Sequence, residues 1–176
     1  MAYRDPVHVG AFAGDVTINA VIETPAGSRI KYKWEPDAGG YRAGRVLPLG
    51  MAFPFDFGFI PGTKAEDGDP LDVLVLADAP LAVGVLVECR VLGAFEVEQS
   101  KEGGGSKLVR NDRLVAIPTS ALRGAEWSSL DDIGYQLREQ IGSFFTSYVE
   151  RQGREIKLIG TIEPKAALKL VKEAKR

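Results

Sequence analysis

The chain has 176 residues, 45% of them hydrophobic and 26% charged, with a formal net charge of −2. That length suits one domain burying roughly 70% of the surface its unfolded chain exposes, and the composition excludes extensive disorder. The near-neutral charge, without a basic stripe, excludes a general nucleic-acid binder, which would concentrate Lys and Arg against phosphates.

The first ten residues carry Arg4, Asp5 and His8 and no apolar core, so no secretory signal is expected. No run of about 18 apolar residues is present to cross a membrane, and the cytoplasm is the expected compartment, with no membrane partner. Gly and Pro punctuate the first two thirds. Between them, β-branched or aromatic runs at 16–22, 29–34, 72–76, 84–92 and 113–117 predict strands of a compact sheet or barrel. The lone cysteine, Cys89, lies in the apolar run 83–92 and reads as a small buried thiol. Residues 100–106, with Gly103, Gly104 and Gly105 together, read as a loop between strands. A phosphate-cradling loop would need Lys-Ser or Lys-Thr opening a helix, whereas Lys107-Leu108 leads into Val109.

From Asp131 the period changes. Ile133, Leu137, Ile141, Phe144, Phe145 and Tyr148 recur at helical spacing, with Asp131 or Asp132 available as the cap and Gly153 as the stop. A strand is expected at 156–162, and Pro164 then opens a short helix with Ala167, Leu168 and Val171 on one face. Both helices are expected to clad the sheet. The only histidine, His8, lies near the terminus, which argues against a Ser-His-Asp or Cys-His hydrolase.

The chemistry concentrates in Asp67-Gly68-Asp69-Pro70-Leu71-Asp72, followed directly by Val73-Leu74-Val75-Leu76. Like charges about 4 Å apart repel by ~1 kcal/mol in water and ~4 kcal/mol near a protein surface, and a bound cation removes that cost. Gly68 permits an unusual backbone angle and Pro70 fixes the next one, so the turn can aim the acids, and oxygen ligands of this kind suit Mg²⁺ or Mn²⁺. A calcium loop fails on spacing, because Leu71 and Asp72 stand where an acidic or amide residue and a glycine are required. A solvated acidic turn remains the alternative for these six residues alone, since Asp-Gly and Asp-Pro are common turn pairs.

The hexapeptide and its apolar tail resemble the signature of the soluble family I inorganic pyrophosphatases. The resemblance extends to Glu23-Thr24-Pro25, Ser28-Arg29-Ile30-Lys31-Tyr32, Arg45, Pro54 and Gly58-Phe59-Ile60-Pro61-Gly62-Thr63. It continues through Gly93, Leu114-Val115-Ala116-Ile117-Pro118, Phe144-Phe145 and Tyr148. It implies one domain over 1–176 with a mainly β, α+β fold: an OB-like five-stranded barrel with two C-terminal helices. It further implies metal-dependent hydrolysis of pyrophosphate to two phosphates, with Mg²⁺ as cofactor, Mn²⁺ as its substitute, and a hexamer. By the same resemblance Asp67 and Asp72 are metal ligands, Glu23 supports a metal through water, and Asp69 is the base for the attacking water. Lys31, Arg45, Arg113 and Tyr148 bind the phosphates.

Several positions depart from the family pattern. Lys33 stands where its Ser-x-x-Lys-Tyr-Glu motif ends in an acid, and Gly44 replaces the Asp before the phosphate-binding Arg. Phe53 and Phe57 replace two tyrosines, Asp56 an asparagine, and Val149 a lysine. A later metal-binding pair of aspartates falls on Gln99 or Glu98 and on Asn111, with Asp112 able to substitute by a one-residue shift and Arg113 on the following lysine. These changes imply fewer bound metals, with Lys33 supplying positive charge in place of one. They also leave two rivals open: a catalytically impaired paralogue that binds metal and a phosphate-containing ligand, and a phosphohydrolase whose entrance Phe53, Phe57 and the glycine-rich loop reshape for a larger ester.

Overall fold

The apolar runs of the first two thirds become strands because each has at least one face to bury. The computed structural model describes residues 6–101, 103 and 107–176. Among these the strands are β1 (Thr17–Thr24), β2 (Ile30–Glu35), β3 (Gly40–Val46), β4 (Asp56–Ile60), β5 (Leu71–Val75), β6 (Leu86–Ser100), β7 (Leu108–Arg110) and β8 (Arg113–Pro118). Helix α1 (Tyr135–Glu150), strand β9 (Ile156–Ile162) and helix α2 (Pro164–Glu173) complete the chain.

β1, β4, β5, β8 and β6 lie side by side, and β1 also pairs with β6, so the sheet closes into the expected five-stranded barrel. β6 continues past the predicted end at residue 92. It bends at Gly93 (φ 141°), where a side chain would collide with the Ile162 carbonyl, and then pairs with β9 and β7. β3 and β4, each interrupted by a glycine, fall outside the strands that the apolar runs predict.

Alternation sorts the strand residues into two cores. Leu71, Val73 and Val75 turn inward with Ile18, Ile22, Val91 and Ala116. Leu74, Leu76, Val115 and Ile117 turn outward beneath Ile141 and Phe145 of α1. Full burial of each such Val, Leu, Ile or Phe side chain contributes about 1.5–3 kcal/mol. Helix α1 therefore clads the barrel as expected, whereas Ala167 and Val171 of α2 join the inner cluster. Cys89 is buried in that cluster, and burial pushes its thiol up to about 12.

Helix α1 begins later than the sequence suggested. Gly134 (φ 82°) takes the cap position, and neither aspartate caps the helix. Asp132 instead accepts the amides of Ser128 and Ser129, holding the preceding turn, and Asp131 pairs with Arg138. Of the glycine-rich segment, residues 102 and 104–106 lie outside the described residues.

Candidate active site

The acidic loop enters β5 from a turn fixed by its own backbone. Asp67 Oδ1 accepts the Asp69 amide at 3.1 Å, a short side-chain-to-backbone turn that Gly68 permits by adopting φ 98°. Thr63 anchors the exit: its hydroxyl donates to the Ile60 carbonyl at 2.6 Å and accepts the Leu71 amide at 3.0 Å. Asp72 then takes the outward parity opposite Val73. Register sets it beside Phe59 of β4, which in turn faces Val21 of β1, while Val73 pairs with Leu114, the neighbour of Arg113.

Facing this loop is the β2–β3 ribbon, whose strands pair only with each other among the described residues. Lys31 and Lys33 are two positions apart on β2, so they share a face, and Arg45 is the cross-strand partner of Lys31. Gly44 is the extra residue of a bulge at this point. Both ribbon lysines, Arg45, Glu23, Tyr148, Arg113 and the three loop aspartates line one cleft of about 930 Å³.

The cleft is already cross-linked by polar contacts. Lys33 Nζ lies 3.0 Å from Asp69 Oδ2, both side chains being 61% exposed. Partial burial lowers the Lys33 pKa, but the Asp69 contact, aided by Glu23 and Asp67, outweighs it and holds the ammonium above its ordinary value. Lys31 Nζ sits 5.3 Å from the Phe57 ring centroid and 5.9 Å from that of Tyr148, cation–π distances that fix its position. Glu23 is buried and accepts the Trp34 amide at 2.7 Å. Desolvation raises its carboxyl above the ordinary value, against the opposing Trp34 hydrogen bond and the two lysines.

On the far side Arg113 is 5% exposed. Its Nη1 pairs with Asp72 Oδ2 and donates to Asn111 Oδ1 at 2.8 Å, while Nη2 donates to Gln99 Oε1 at 3.1 Å. Asn111 Nδ2 completes an arc by donating to Asp67 Oδ2 at 3.1 Å. Desolvation pulls the guanidinium down to about 10, partly offset by Tyr148 and Asp67, so it stays cationic at neutral pH.

Of the nine predicted site residues the structure brings eight into the cleft: Asp67, Asp69, Asp72, Glu23, Lys31, Arg45, Arg113 and Tyr148. Asp112 is the exception. Its Oδ1 accepts the Val97 amide at 3.0 Å and Arg110 Nε at 2.6 Å, so it braces β6 against β7, and Asn111 occupies the cleft position instead. Phe53 and Phe57 are buried in an aromatic cluster with Phe144, Phe145 and Tyr148, and so do not reshape an entrance. Sequence reasoning missed Arg154, Lys101, Gln152 and Glu35 as lining residues. Nothing in their local pattern marks them, since they arrive through the ribbon tip, the β6 extension and the turn after α1.

Among the described residues no three His, Cys, Asp or Glu side chains converge as a ready-made metal cage. Hard divalent cations such as Mg²⁺ and Mn²⁺ keep several waters and take one or two carboxylates with substrate oxygens. Asp67 and Asp72 both line the cleft and are carboxylates available to a cation there, with Arg113 holding Oδ2 of Asp72.

A family model described as inorganic pyrophosphatase matches residues 20–176. The inorganic pyrophosphatase of Thermus thermophilus is 38% identical over 175 residues, covering 98% of this chain and 95% of its own. That of Synechocystis is 34% identical over 89% of this chain and 88% of its own. Among solved structures, the Thermus thermophilus inorganic pyrophosphatase superposes with a TM-score of 0.81 at 35% identity, covering 92% of this chain and 91% of that one. An inorganic pyrophosphatase from Neisseria gonorrhoeae gives 0.84 at 33% identity over 97% and 96%.

Proposed function

The chain belongs to the inorganic pyrophosphatase family and hydrolyses pyrophosphate to two phosphates, and we propose that it does so between the β2–β3 ribbon and the 67–72 loop. One observation carries this placement: three loop carboxylates face Lys31, Lys33 and Arg45 across a single cleft. An acidic wall suits a hard divalent cation and a basic wall suits phosphate oxygens, and phosphoryl transfer needs the two side by side.

In this reading Asp67 and Asp72 would hold Mg²⁺, for which Mn²⁺ would substitute, and Glu23 would support it through water. Such a metal supplies Lewis acidity, lowering the pKa of bound water and neutralising phosphoryl oxygens. Lys31, Arg45 and Tyr148 bind the phosphates. Arg113, with its terminal nitrogens engaged by Asp72, Asn111 and Gln99, serves the substrate through its charge and keeps Asp72 aimed. Asp69 takes the proton from the attacking water, which then displaces one phosphate from the other.

The test is phosphate release by Asp69→Asn against the wild type. General-base catalysis is worth about 10²–10⁴-fold, so the variant should lose that much rate with the fold intact. Unchanged turnover would remove Asp69 from the mechanism. The reading also takes residues 1–176 as one catalytic domain working in the cytoplasm as a hexamer. Solvent-exposed Val46, Leu49 and Leu122 are apolar surface that such an assembly could cover. A monomeric mass in sedimentation would eliminate the assembly.

A further inference from the structure

The two lysines on the cleft face of β2 are engaged differently. Lys31 rests on the rings of Phe57 and Tyr148, whereas Lys33 reaches across the cleft to Asp69 Oδ2 at 3.0 Å. Lys33 therefore occupies the carboxylate assigned to receive the proton of water. Exposed ion pairs of this kind are weak, and an anion of several charges outcompetes one carboxylate for an ammonium. The Asp69 backbone does not need to move for the exchange, since its amide is held by Asp67 Oδ1.

We infer that Lys33 is a substrate-binding residue that exchanges partners, holding Asp69 in the free protein and a phosphate oxygen in the complex. This rests on the reading of the cleft as the pyrophosphate site. Its consequence is a coupling: the anion draws Lys33 away, the loop regains a full negative charge, and the cation affinity of that loop rises. By linkage, a bound divalent cation strengthens anion binding by the same factor.

The experiment compares full-length wild type, Lys33→Gln and Lys31→Gln, each variant removing one positive charge from the same strand face. Mn²⁺ binding is titrated by electron paramagnetic resonance, without anion and with imidodiphosphate, a slowly hydrolysed analogue. Imidodiphosphate binding in EDTA is measured by calorimetry. Without anion, Lys33→Gln should bind Mn²⁺ ~2–5-fold tighter than wild type, the scale of one exposed ion pair. Lys31→Gln should gain less than half of that. The enhancement of Mn²⁺ affinity by imidodiphosphate should shrink in Lys33→Gln by the same factor, and the variant should bind the analogue more weakly in EDTA. Equal Mn²⁺ gains in both variants would overturn the exchange, leaving only net charge. Unchanged analogue binding in Lys33→Gln would overturn it too. Wild type that binds neither Mn²⁺ nor imidodiphosphate would overturn the cleft assignment itself and this inference with it.

Discussion

Replacing Arg113 with methionine tests whether the polar arc behind the acidic loop holds the site together. The substitution keeps an apolar stem over the Phe145 ring, where the guanidinium carbon now lies 5.8 Å from the centroid, and removes the charge. Asp72 then loses its cation, and Asn111 Oδ1 and Gln99 Oε1 lose their donor. Removing one partner of a fully buried ion pair costs ~3–5 kcal/mol. The Asp72 side chain is 23% exposed, so water recovers part of this, leaving about 2–4 kcal/mol. For a chain of this length that lowers Tm by about 5–15 °C, measurable by circular dichroism. Mn²⁺ should restore more stability to the variant than it adds to the wild type, because it returns a cation to Asp72. Arg113→Lys should fall between, keeping the charge but not the planar fork that reaches three partners. A loss below about 1 kcal/mol, or no differential rescue by Mn²⁺, would mean that the arc does not support the loop.

Gly58→Ala should prevent folding, since the new Cβ would be driven into the Val21 carbonyl and backbone of the adjacent strand; a cooperative native-like melt would contradict this. Asp56 is buried, and desolvation raises its carboxyl against the opposing amides of Ala26 and Leu81. The native state therefore holds its proton to higher pH than the unfolded chain, so this group's contribution to stability is present at low pH. It is lost as pH rises from the ordinary carboxylate value through the raised one. Asp56→Asn should flatten that slope in urea titrations taken between about pH 3 and 6, and an unaltered pH profile would refute it.

The fold was legible where one face of a strand or helix is apolar, and illegible where geometry overrode local pattern. Residues 84–92 announced a strand, but nothing before Gly93 reveals that it bends and runs on to Ser100, because that bend answers to the Ile162 carbonyl from a distant strand. The acids of the 67–72 loop were readable because they are adjacent in sequence. The choice between Asn111 and Asp112 was not: they fill the gap between β7 and β8, and the side that each presents depends on pairing with Val97 and Glu98. Lys33 stood out as a basic residue where a related motif ends in an acid. Its contact with Asp69, 36 positions away, required the ribbon to fold over the loop.

Phosphate release from pyrophosphate across a Mg²⁺ titration, with Asp67→Asn as control, bears most directly on the proposed site. Release should rise with Mg²⁺ and fall at least tenfold in the variant at equal Mg²⁺, since Asp67 is one of the two carboxylates proposed to hold the metal and also fixes the Asp69 amide. Release that is independent of Mg²⁺, or equal in wild type and Asp67→Asn, would place the chemistry outside the acidic loop.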